Sequence, residues 1–424
     1  MNKFLITTAL VASFVTTNAM ATPEVSVNGS IDSKFVNNSQ KEKFRYDNLD
    51  STAGKKLSNN NIAADAYINF NIKGEVKEGL KYGGLIKLNA NTSQSKKEMF
   101  INKDDKQSIA EQVMAYLESG YGRVEVGNYT GVTESMKVNA GTFASATGGI
   151  NGDSQYYWNQ YTMQDDPNSP TEVKKVKTKT AFLQTANLPT NELGTFGLRG
   201  VNAAKINYYT PEFSGFRFGA TFTPNTKVHG TASSVTSVVK DKEAAGFKNV
   251  FETGLSYTSE IKDVGVKFAV VGEFGKNQEN GNADQAKNKK NLRAYEVGTN
   301  LSYKGFTVGG SYGDWGKYGA STDANAAEFG KTSYWTAGVG YANGPLSASV
   351  THLQGKKGIE KDANTNDKKH NTLRNTVIGV DYKVAPGVMP YVEFSSFKMN
   401  QASQADKENN NKGHMIMTGV KLNF

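Results

Sequence analysis

The stretch HMIMTGVKLNF, residues 414–424, alternates between more apolar and more polar side chains as far as a terminal aromatic residue. One face carries Ile416, Thr418, Val420, Leu422 and Phe424. A period of two is that of a β-strand with one apolar face. VSVNGSIDSKF, residues 25–35, alternates in the same way. The two stretches together predict a sheet that is closed by pairing of its last strand with its first, so that no edge remains.

Similar alternation recurs along the chain and gives about sixteen candidate strands. They are residues 24–36, 60–76, 80–92, 109–119, 122–129, 203–210, 215–223, 249–259, 264–275, 292–304, 306–314, 333–342, 346–354, 373–384, 388–398 and 413–424. The helical period of 3.6 residues is nearly absent after residue 21. The chain is therefore predicted to be all-β.

The connections between these strands alternate in length. Tight turns such as KEG (77–79) and KG (304–305) take turns with long polar segments such as NQENGNADQAKNKK (277–290). A soluble sandwich has no reason to sort its loops in this way, and a β-helix would show a fixed short repeat. Short periplasmic turns and long outer loops are typical of a transmembrane antiparallel up-and-down β-barrel.

Aromatic residues recur on the apolar faces near the strand ends. Those beside short turns are Tyr257, Tyr303, Tyr341, Tyr382 and Phe424, and those near the opposite ends include Phe251, Tyr295 and Trp335. Aromatic rings with polar rims favour the headgroup level of a membrane. We expect two aromatic girdles, although tyrosine is also an ordinary strand residue.

The N-terminus and the composition agree with export to a membrane. A positive MNK, an apolar stretch at 4–15 and Ala19-Met20-Ala21 predict a signal peptide over residues 1–21, which leaves one barrel domain at 22–424. The mean hydropathy of −0.54 fits a barrel in which half of each strand faces water. The net charge of +9 is spread along the chain, so no nucleic-acid partner is expected. The sequence contains no cysteine.

Catalytic and metal-binding motifs are weak. GGSYG (309–313) matches a nucleophile motif, and His352, His370 and His414 follow it. That motif requires a strand, a sharp turn and a helix, whereas Ser311 lies inside an alternating strand. The four histidines of the chain lack metal-ligand spacing. We therefore predict no enzyme activity, no metal and no cofactor.

Two longer stretches carry a resemblance to a known family. These are YGRVEVGNY (121–129) and AKINYYTPEFSGFRFGATFTP (204–224), together with the signal peptide and the terminal strand. With them the chain resembles the general porin family of Gram-negative outer membranes. The resemblance implies an outer-membrane homotrimer of 16-stranded barrels for passive diffusion of small hydrophilic solutes and ions. It also implies that the barrel-insertion machinery reads Phe424.

The longest connection, residues 130–202, corresponds to the loop that folds into the barrel in that family. Its first part, 138–152, is uncharged, and residues 153–161 are rich in aromatics, which suits a loop lying against an inner wall. The alternative is an outward loop containing one hairpin, formed by TAFLQTANL (180–188) or TFGLRG (195–200). In many family members a similar PEFG element lies at the tip of this loop, whereas PEFSG (211–215) here falls in a short turn.

The resemblance also implies a constriction at which basic residues on early strands face acidic residues on this loop. The corresponding residues here are Lys81, Lys87 and Arg123 against Asp153, Asp165 and Asp166. Each of them could instead be an ordinary hydrated group of the lumen. Two other functions remain open. The YYW cluster at 156–158 could line a sugar- or anion-selective pore, and a barrel without a pore could serve as an adhesin or surface antigen.

Overall fold

The computed structural model describes most of the barrel and part of its longest connection. The described residues are 22–45, 56–76, 79–91, 110–166, 169–178, 181–192, 202–226, 247–277, 290–318, 320, 329–359, 368–402 and 410–424. The predicted signal peptide and the TFGLRG segment lie outside them. Among the described residues, no helix is long and apolar enough to cross a membrane.

Sixteen antiparallel strands form one closed barrel. Each pairs with its neighbours in the chain, except that two strands pair across the longest connection and the last strand pairs with the first. The strands are β1 (Glu24–Gln40), β2 (Asn60–Val76), β3 (Leu80–Asn89), β4 (Ala110–Ser119), β5 (Gly122–Asn128), β8 (Ala204–Tyr209), β9 (Phe216–Asn225), β10 (Phe247–Ile261), β11 (Val264–Asn277), β12 (Leu292–Tyr303), β13 (Phe306–Gly316), β14 (Thr332–Asn343), β15 (Leu346–Gly358), β16 (His370–Tyr382), β17 (Val388–Asn400) and β18 (Asn411–Asn423). The prediction of a barrel of about sixteen strands is confirmed.

The connection between β5 and β8 carries the remaining elements. Within the described residues, strands β6 (Gln160–Asp166) and β7 (Ser169–Thr178) pair with each other and not with the barrel, and helix α1 (Val132–Ser135) precedes them. The 3-10 turns of the described chain are Glu42–Arg45, Ala140–Phe143, Gly149–Asn151, Asp153–Tyr156 and Pro189–Asn191. A hairpin therefore exists in this connection, but TAFLQTANL does not form it.

The barrel closes where β18 pairs with β1, with Ile31 opposite Leu422. The terminal residue takes part in this seam. The N–H of Phe424 donates to the carbonyl of Gly29 at 3.1 Å, and the N–H of Gly29 donates back at 2.9 Å. The Phe424 ring covers Gly29, where a β-carbon would come within 2.8 Å of the ring. The predicted pairing of the first and last stretches is thus confirmed.

The short turns use residues with a left-handed backbone. Ser214 and Gly215 between β8 and β9 have φ of 50° and 85°, and Lys304 and Gly305 between β12 and β13 have φ of 47° and 86°. Two successive positive φ values suit two-residue hairpins, whose twist matches that of the flanking strands. PEFSG accordingly lies in a short turn, as the sequence predicts.

Candidate pore constriction

Two segments between β5 and β8 lie inside the barrel. We call them the inner loop, with a first pass at residues 129–159 and a return pass at residues 181–192. The first pass follows the wall closely because glycines face it. A β-carbon on Gly254 would lie 2.8 Å from a methyl group of Val132, and one on Gly298 would overlap the carbonyl oxygen of Val138. The prediction that this connection folds inward is confirmed.

Hydrogen bonds to the wall show the direction of the first pass. The backbone N–H groups of Ala140, Ser145, Ala146 and Ile150 donate in turn to Thr336 on β14, Ser349 on β15, Asp381 on β16 and Thr351 on β15. Lys421 on β18 then donates to the carbonyl of Ala146. The uncharged stretch 138–152 therefore lines β12 to β18, and side chains of the wall accept hydrogen bonds from its backbone.

Three buried glutamates of the wall each hold one threonine of the inner loop through two bonds. Glu252 on β10 accepts from the N–H of Thr133 at 2.9 Å and from its hydroxyl at 2.6 Å. Glu393 on β17 accepts from the N–H and the hydroxyl of Thr147 at 3.0 and 2.7 Å.

The third such pair fixes the return pass. Glu273 on β11 accepts from the N–H and the hydroxyl of Thr190 at 3.1 and 2.5 Å. The exposed fraction of Glu252, Glu273 and Glu393 is at most 2%. A buried carboxylate is costly unless it is hydrogen-bonded, so each pair fixes loop and wall together.

A fourth carboxylate of this kind lies within the loop itself. Glu192 accepts from the N–H of Gln184 at 3.0 Å and from the hydroxyl of Thr185 at 2.5 Å. Burial raises the pKa of Glu192 above its usual range, although these two hydrogen bonds act in the opposite direction.

The tip of the first pass is held by a lysine on β1. The Lys34 ammonium lies 2.9 Å from Asp32 and 2.8 Å from Asp65, and it also pairs with Asp153 of the inner loop. The Tyr391 hydroxyl donates to Asp32 at 2.8 Å. The three carboxylates are close enough together to suggest a cation site. The ammonium of Lys34 already takes the position that a metal would need, so this cluster is an ion-pair network.

The return pass adds an apolar layer. Phe182, Leu183 and Leu188 are at most 1% exposed and belong to the same core as Leu353 and Trp315 of the wall. The indole N–H of Trp315 donates to the carbonyl of Asn187 at 3.1 Å. Residues 181–188 of TAFLQTANL, considered above as part of a hairpin, therefore pack inside the barrel.

Strands β2 to β5 carry a different inner surface, which water reaches. Lys87 pairs with Glu111 at 3.2 Å and lies 5.0 Å from the centre of the Tyr67 ring. Its side chain keeps 24% of its surface exposed. We call this surface, from β2 to β5, the open wall.

A second basic group on the open wall repeats this arrangement. Arg123 pairs with Glu125 at 2.7 Å and Glu118 at 3.2 Å, and its guanidinium lies 3.7 Å from the centre of the Tyr116 ring. Its side chain is 25% exposed. Each cation therefore has both a carboxylate and an aromatic ring as partners.

The predicted constriction residues fall into three groups. Lys87 and Arg123 lie on the open wall, and Lys81 is exposed near the short-turn end of β3. Asp153 lies on the inner loop but pairs with Lys34, so the structure does not bring it into contact with the basic residues of the open wall. The backbone of Asp165 and Asp166 lies in β6, and the description does not extend to their side chains. The six-residue constriction stays a prediction.

Sequence reasoning missed several members of this site. Asp32, Lys34 and Asp65 can be assigned to the lumen from alternation, but nothing in the sequence indicates that they meet Asp153. Tyr67 and Glu111 form the local environment of Lys87. Glu111 lies at a register shift between β3 and β4. The alternation of β4 therefore does not assign its side chain to the lumen.

The aromatic residues beside the short turns lie on the outer face of the barrel. Tyr303, Tyr382 and Phe424 are 45%, 48% and 59% exposed on the outer face. The rings of Tyr257 and Tyr341 each contact a phenylalanine of the adjacent strand, with centroid distances of 4.6 and 4.5 Å. An aromatic girdle at this level remains a prediction, because the structure gives the positions of these rings but not the position of the bilayer.

The hydrolase motif has an ordinary environment. Ser311 lies inside β13, and its hydroxyl is 2.9 Å from that of Thr336. His352 contacts the hydroxyl of Thr376 instead.

Comparison with known proteins agrees with this architecture. Residues 7–402 match the family model described as Gram-negative porin. The chain belongs to the Gram-negative porin family. It is 27% identical over 236 residues to the major outer membrane protein of Pasteurella multocida, covering 54% of this chain and 58% of that one. An uncharacterized protein of Rickettsia bellii is 25% identical over 351 residues, covering 73% and 75% of the two chains.

Solved porins share the fold. An anion-selective porin from Comamonas acidovorans superposes with a TM-score of 0.56 and 12% identity, covering 95% of this chain and all of that one. A triple mutant of the Rhodopseudomonas blastica porin gives a TM-score of 0.51 and 13% identity, covering 94% and 100%. This porin is therefore an outer-membrane β-barrel channel, and its family and fold are those of non-enzymatic channels.

Proposed function

We propose that small hydrophilic solutes and ions diffuse passively between the inner loop and the open wall, without catalysis. The observation that carries this proposal is the contrast in exposure across the lumen. Glu252, Glu273 and Glu393 are sealed behind the inner loop, whereas the side chains of Lys87 and Arg123 remain about one quarter exposed. Water-filled space is thereby confined to one side of the barrel.

We propose that this passage is weakly selective between ions. Basic and acidic groups alternate on the open wall, as Lys87 with Glu111 and Arg123 with Glu118 and Glu125. Such pairs create a local field but leave little net charge, and rings of one sign are what selective pores use. Lys81, Lys87 and Arg123 belong to this passage, with Asp153 at its far side.

An aromatic slide for sugars receives less support from the geometry. Trp158 has no exposed surface and packs on Phe397, with ring centroids 4.8 Å apart. Tyr157 packs against a buried cluster that contains Tyr391 and Met417, and burial raises the pKa of both Tyr156 and Tyr157. The YYW cluster therefore serves mainly to pack the inner loop against the wall.

The reactivity of introduced cysteines in planar bilayers tests this route for solutes. Because the sequence contains no cysteine, a thiol reagent reacts with the introduced residue alone. Lys87→Cys should react with a charged thiosulfonate reagent and change the single-channel current. Thr351→Cys, at a wall position with no exposed surface, should react slowly and leave the current unchanged. Equal reaction at both positions, or modification of Lys87→Cys without a change in current, would reject this route.

We also propose a homotrimer that contacts its neighbours through β1 to β5. The outward faces of β2, β4 and β5 are mostly aliphatic, with Ile62, Val113, Leu117, Val124 and Val126 exposed. The outward faces of β9 to β18 are instead rich in aromatics, as expected where a barrel meets lipid. Val113→Arg should convert the trimer to monomers on native gels, whereas Val308→Arg on β13 should leave the trimer intact.

Assembly in the cell is proposed to depend on Phe424, which the insertion machinery would read. The machinery would recognise its exposed ring on the outer face and its backbone pairing with Gly29, which closes the seam. Deleting Phe424 should reduce assembly in cells more than refolding in detergent, while Phe424→Tyr should be mild. Equal losses in the two assays would assign Phe424 to stability alone.

A further inference from the structure

The two passes of the inner loop meet at a lysine and an asparagine. Lys137 follows helix α1 on the first pass, and its Nζ donates a hydrogen bond to the Oδ1 of Asn187 on the return pass. The same Nζ donates to the Oε2 of Glu134 at 2.6 Å. Lys137 and Asn187 are 50 residues apart in the chain. Folding therefore brings one amine into contact with an amide and a carboxylate at once.

The side-chain amide of Asn187 is buried and held in one orientation. Asn187 is 9% exposed, and its Nδ2 donates to the backbone carbonyl of Asn191 at 3.1 Å. The backbone carbonyl of Asn187 accepts the indole N–H of Trp315 at 3.1 Å. These two bonds hold the residue with its Oδ1, and the adjacent carbon Cγ, toward Lys137.

The amine lies in largely apolar surroundings with a base beside it. The side chain of Lys137 is 6% exposed. Met136 beside it and Leu188 beside Asn187 belong to one buried cluster of apolar residues. A lysine amine acts as a nucleophile when it is removed from water and has a base within hydrogen-bond reach. The carboxylate of Glu134 is in position to be that base.

The buried lysine at the tip of the inner loop has different partners. Lys34 pairs with the carboxylates of Asp32, Asp65 and Asp153, and these stabilise its ammonium form. An ionised carboxylate also resists attack by an amine, because its negative charge repels the electron pair of the nitrogen. Lys137 instead faces a neutral amide, whose carbon accepts a nucleophile more readily.

We propose that Lys137 and Asn187 form an isopeptide bond that joins the two passes of the inner loop. Lys137 gives a proton to Glu134, and its neutral Nζ attacks the Cγ of Asn187. Glu134 then donates this proton to Nδ2 of the tetrahedral intermediate and accepts the second proton of Nζ. The Cγ–Nδ2 bond breaks, and the released ammonia takes that proton from Glu134 as ammonium. A Nζ–Cγ bond has replaced the Cγ–Nδ2 bond, with no oxidant, reductant or co-reactant.

The fold supplies what this reaction needs. Three groups held in contact replace an encounter in water, and such positioning is a large contribution to the rate of a bimolecular step. The side chain of Glu134 is 30% exposed, so the ammonium ion can reach the water of the lumen. The bond would close residues 137–187 into a ring. A cross-link of this kind stabilises a fold by restricting the unfolded chain.

Mass spectrometry of the full mature protein purified from outer membranes measures the bond directly. The mass of the wild-type chain should be lower than that calculated from its sequence by one molecule of ammonia. A proteolytic digest should contain one branched peptide that includes both Lys137 and Asn187. A mass equal to the calculated one would overturn the proposal. Loss of ammonia without the branched peptide would also overturn it, because an asparagine that cyclises alone loses ammonia as well.

Cutting the chain between the two residues gives a second readout. A recognition site for a specific protease is inserted between β6 and β7, and the folded protein is cleaved and then fully denatured. The two fragments should remain joined and run as one band. Two separate fragments from this chain would overturn the proposal.

Variants distinguish the cross-link from an ordinary ion pair. Lys137→Arg keeps the positive charge beside Glu134 but cannot form the amide, so its mass should equal the calculated one and its fragments should separate. Glu134→Gln removes the base and should leave most chains unlinked. Complete linkage in Glu134→Gln would overturn the assignment of Glu134 as the base.

Lys87→Arg is the matched control. Lys87 also pairs with a carboxylate, that of Glu111, but its side chain is 24% exposed on the open wall. This variant should form the bond as completely as wild type. Both measurements give a result on chains with Lys137, Glu134 and Asn187 intact, so a variant that fails to fold does not affect them. They also do not depend on the route of solutes, so the bond and the channel are tested separately.

Discussion

The two sides of the lumen are built from the same strand pattern but use their polar residues differently. On β10, β11 and β17, the inward carboxylates of Glu252, Glu273 and Glu393 are buried and accept hydrogen bonds from the inner loop. On the open wall, Lys87 and Arg123 remain hydrated and pair with carboxylates of their own wall. An inward polar residue is therefore either an anchor or a lining group. Which role it takes depends on whether the inner loop covers it.

The largest effect is expected at the tip of the inner loop. Lys34→Met leaves the carboxylates of Asp32, Asp65 and Asp153 facing one another without a cation. Removing one member of a buried ion pair costs about 3–5 kcal/mol. We expect a lower midpoint of urea unfolding in detergent and larger, noisier single-channel currents as the tip moves off β1.

Lys81→Met is the matched control, because it removes an exposed lysine of the lumen. Its free energy of unfolding should change by about 0.5 kcal/mol or less. Similar losses for the two variants would mean that Lys34 is a lining group rather than an anchor.

A smaller effect is expected from one anchored threonine. Thr147→Val removes the hydroxyl that bonds to Glu393 and keeps the shape of the side chain. The buried carboxylate loses one of its donors, which costs about 1–3 kcal/mol. The change should appear in chemical unfolding, with faster exchange of the Thr147 amide.

Thr258→Val, at an exposed position near the short-turn end of β10, provides the comparison and should lie within about 0.5 kcal/mol of wild type. If both variants were equally stable, the glutamate–threonine pairs would not hold the loop.

The open wall should respond in selectivity instead of stability. Lys87→Gln/Arg123→Gln leaves a net negative wall, so the reversal potential should shift toward cation preference. Partly exposed ion pairs contribute at most about 1 kcal/mol each, so the unfolding midpoint should change little. Glu111→Gln/Glu118→Gln should move the reversal potential the opposite way. A stability loss as large as that of Lys34→Met would remove the distinction between the two sides.

The smallest effect concerns pH. Burial raises the pKa of Glu192, so the folded state binds its proton more tightly than the unfolded state does. Stability from this group is greatest below the unfolded pKa of about 4.3 and declines as pH rises toward the folded value. Glu192→Gln should therefore flatten the rise of stability on acidification, measured as unfolding midpoint between pH 4 and 8. An unchanged pH profile would show that protonation of Glu192 does not contribute to the change of stability with pH.

Local pattern was enough to predict the barrel. Period-two alternation indicated which residues face outward. The lengths of the connections indicated which end of each strand carries a short turn and which carries a long loop. Both signals are carried by a few neighbouring residues, so they survive without knowledge of the fold. The pairing of residues 25–35 with residues 414–424 could be predicted because a sheet closes into a barrel when its first strand pairs with its last.

The interior was decided only by tertiary structure. Glu252 and Thr133 are 119 residues apart, Glu393 and Thr147 are 246 apart, and Glu273 and Thr190 are 83 apart. No local period links such pairs, and an uncharged segment could equally have packed outside. The sequence by itself determined the barrel, its strand order and its outward face. The route of the inner loop, the ion pair of Asp153 with Lys34, and thus the open side of the lumen arose from contacts that exist only after the barrel has closed.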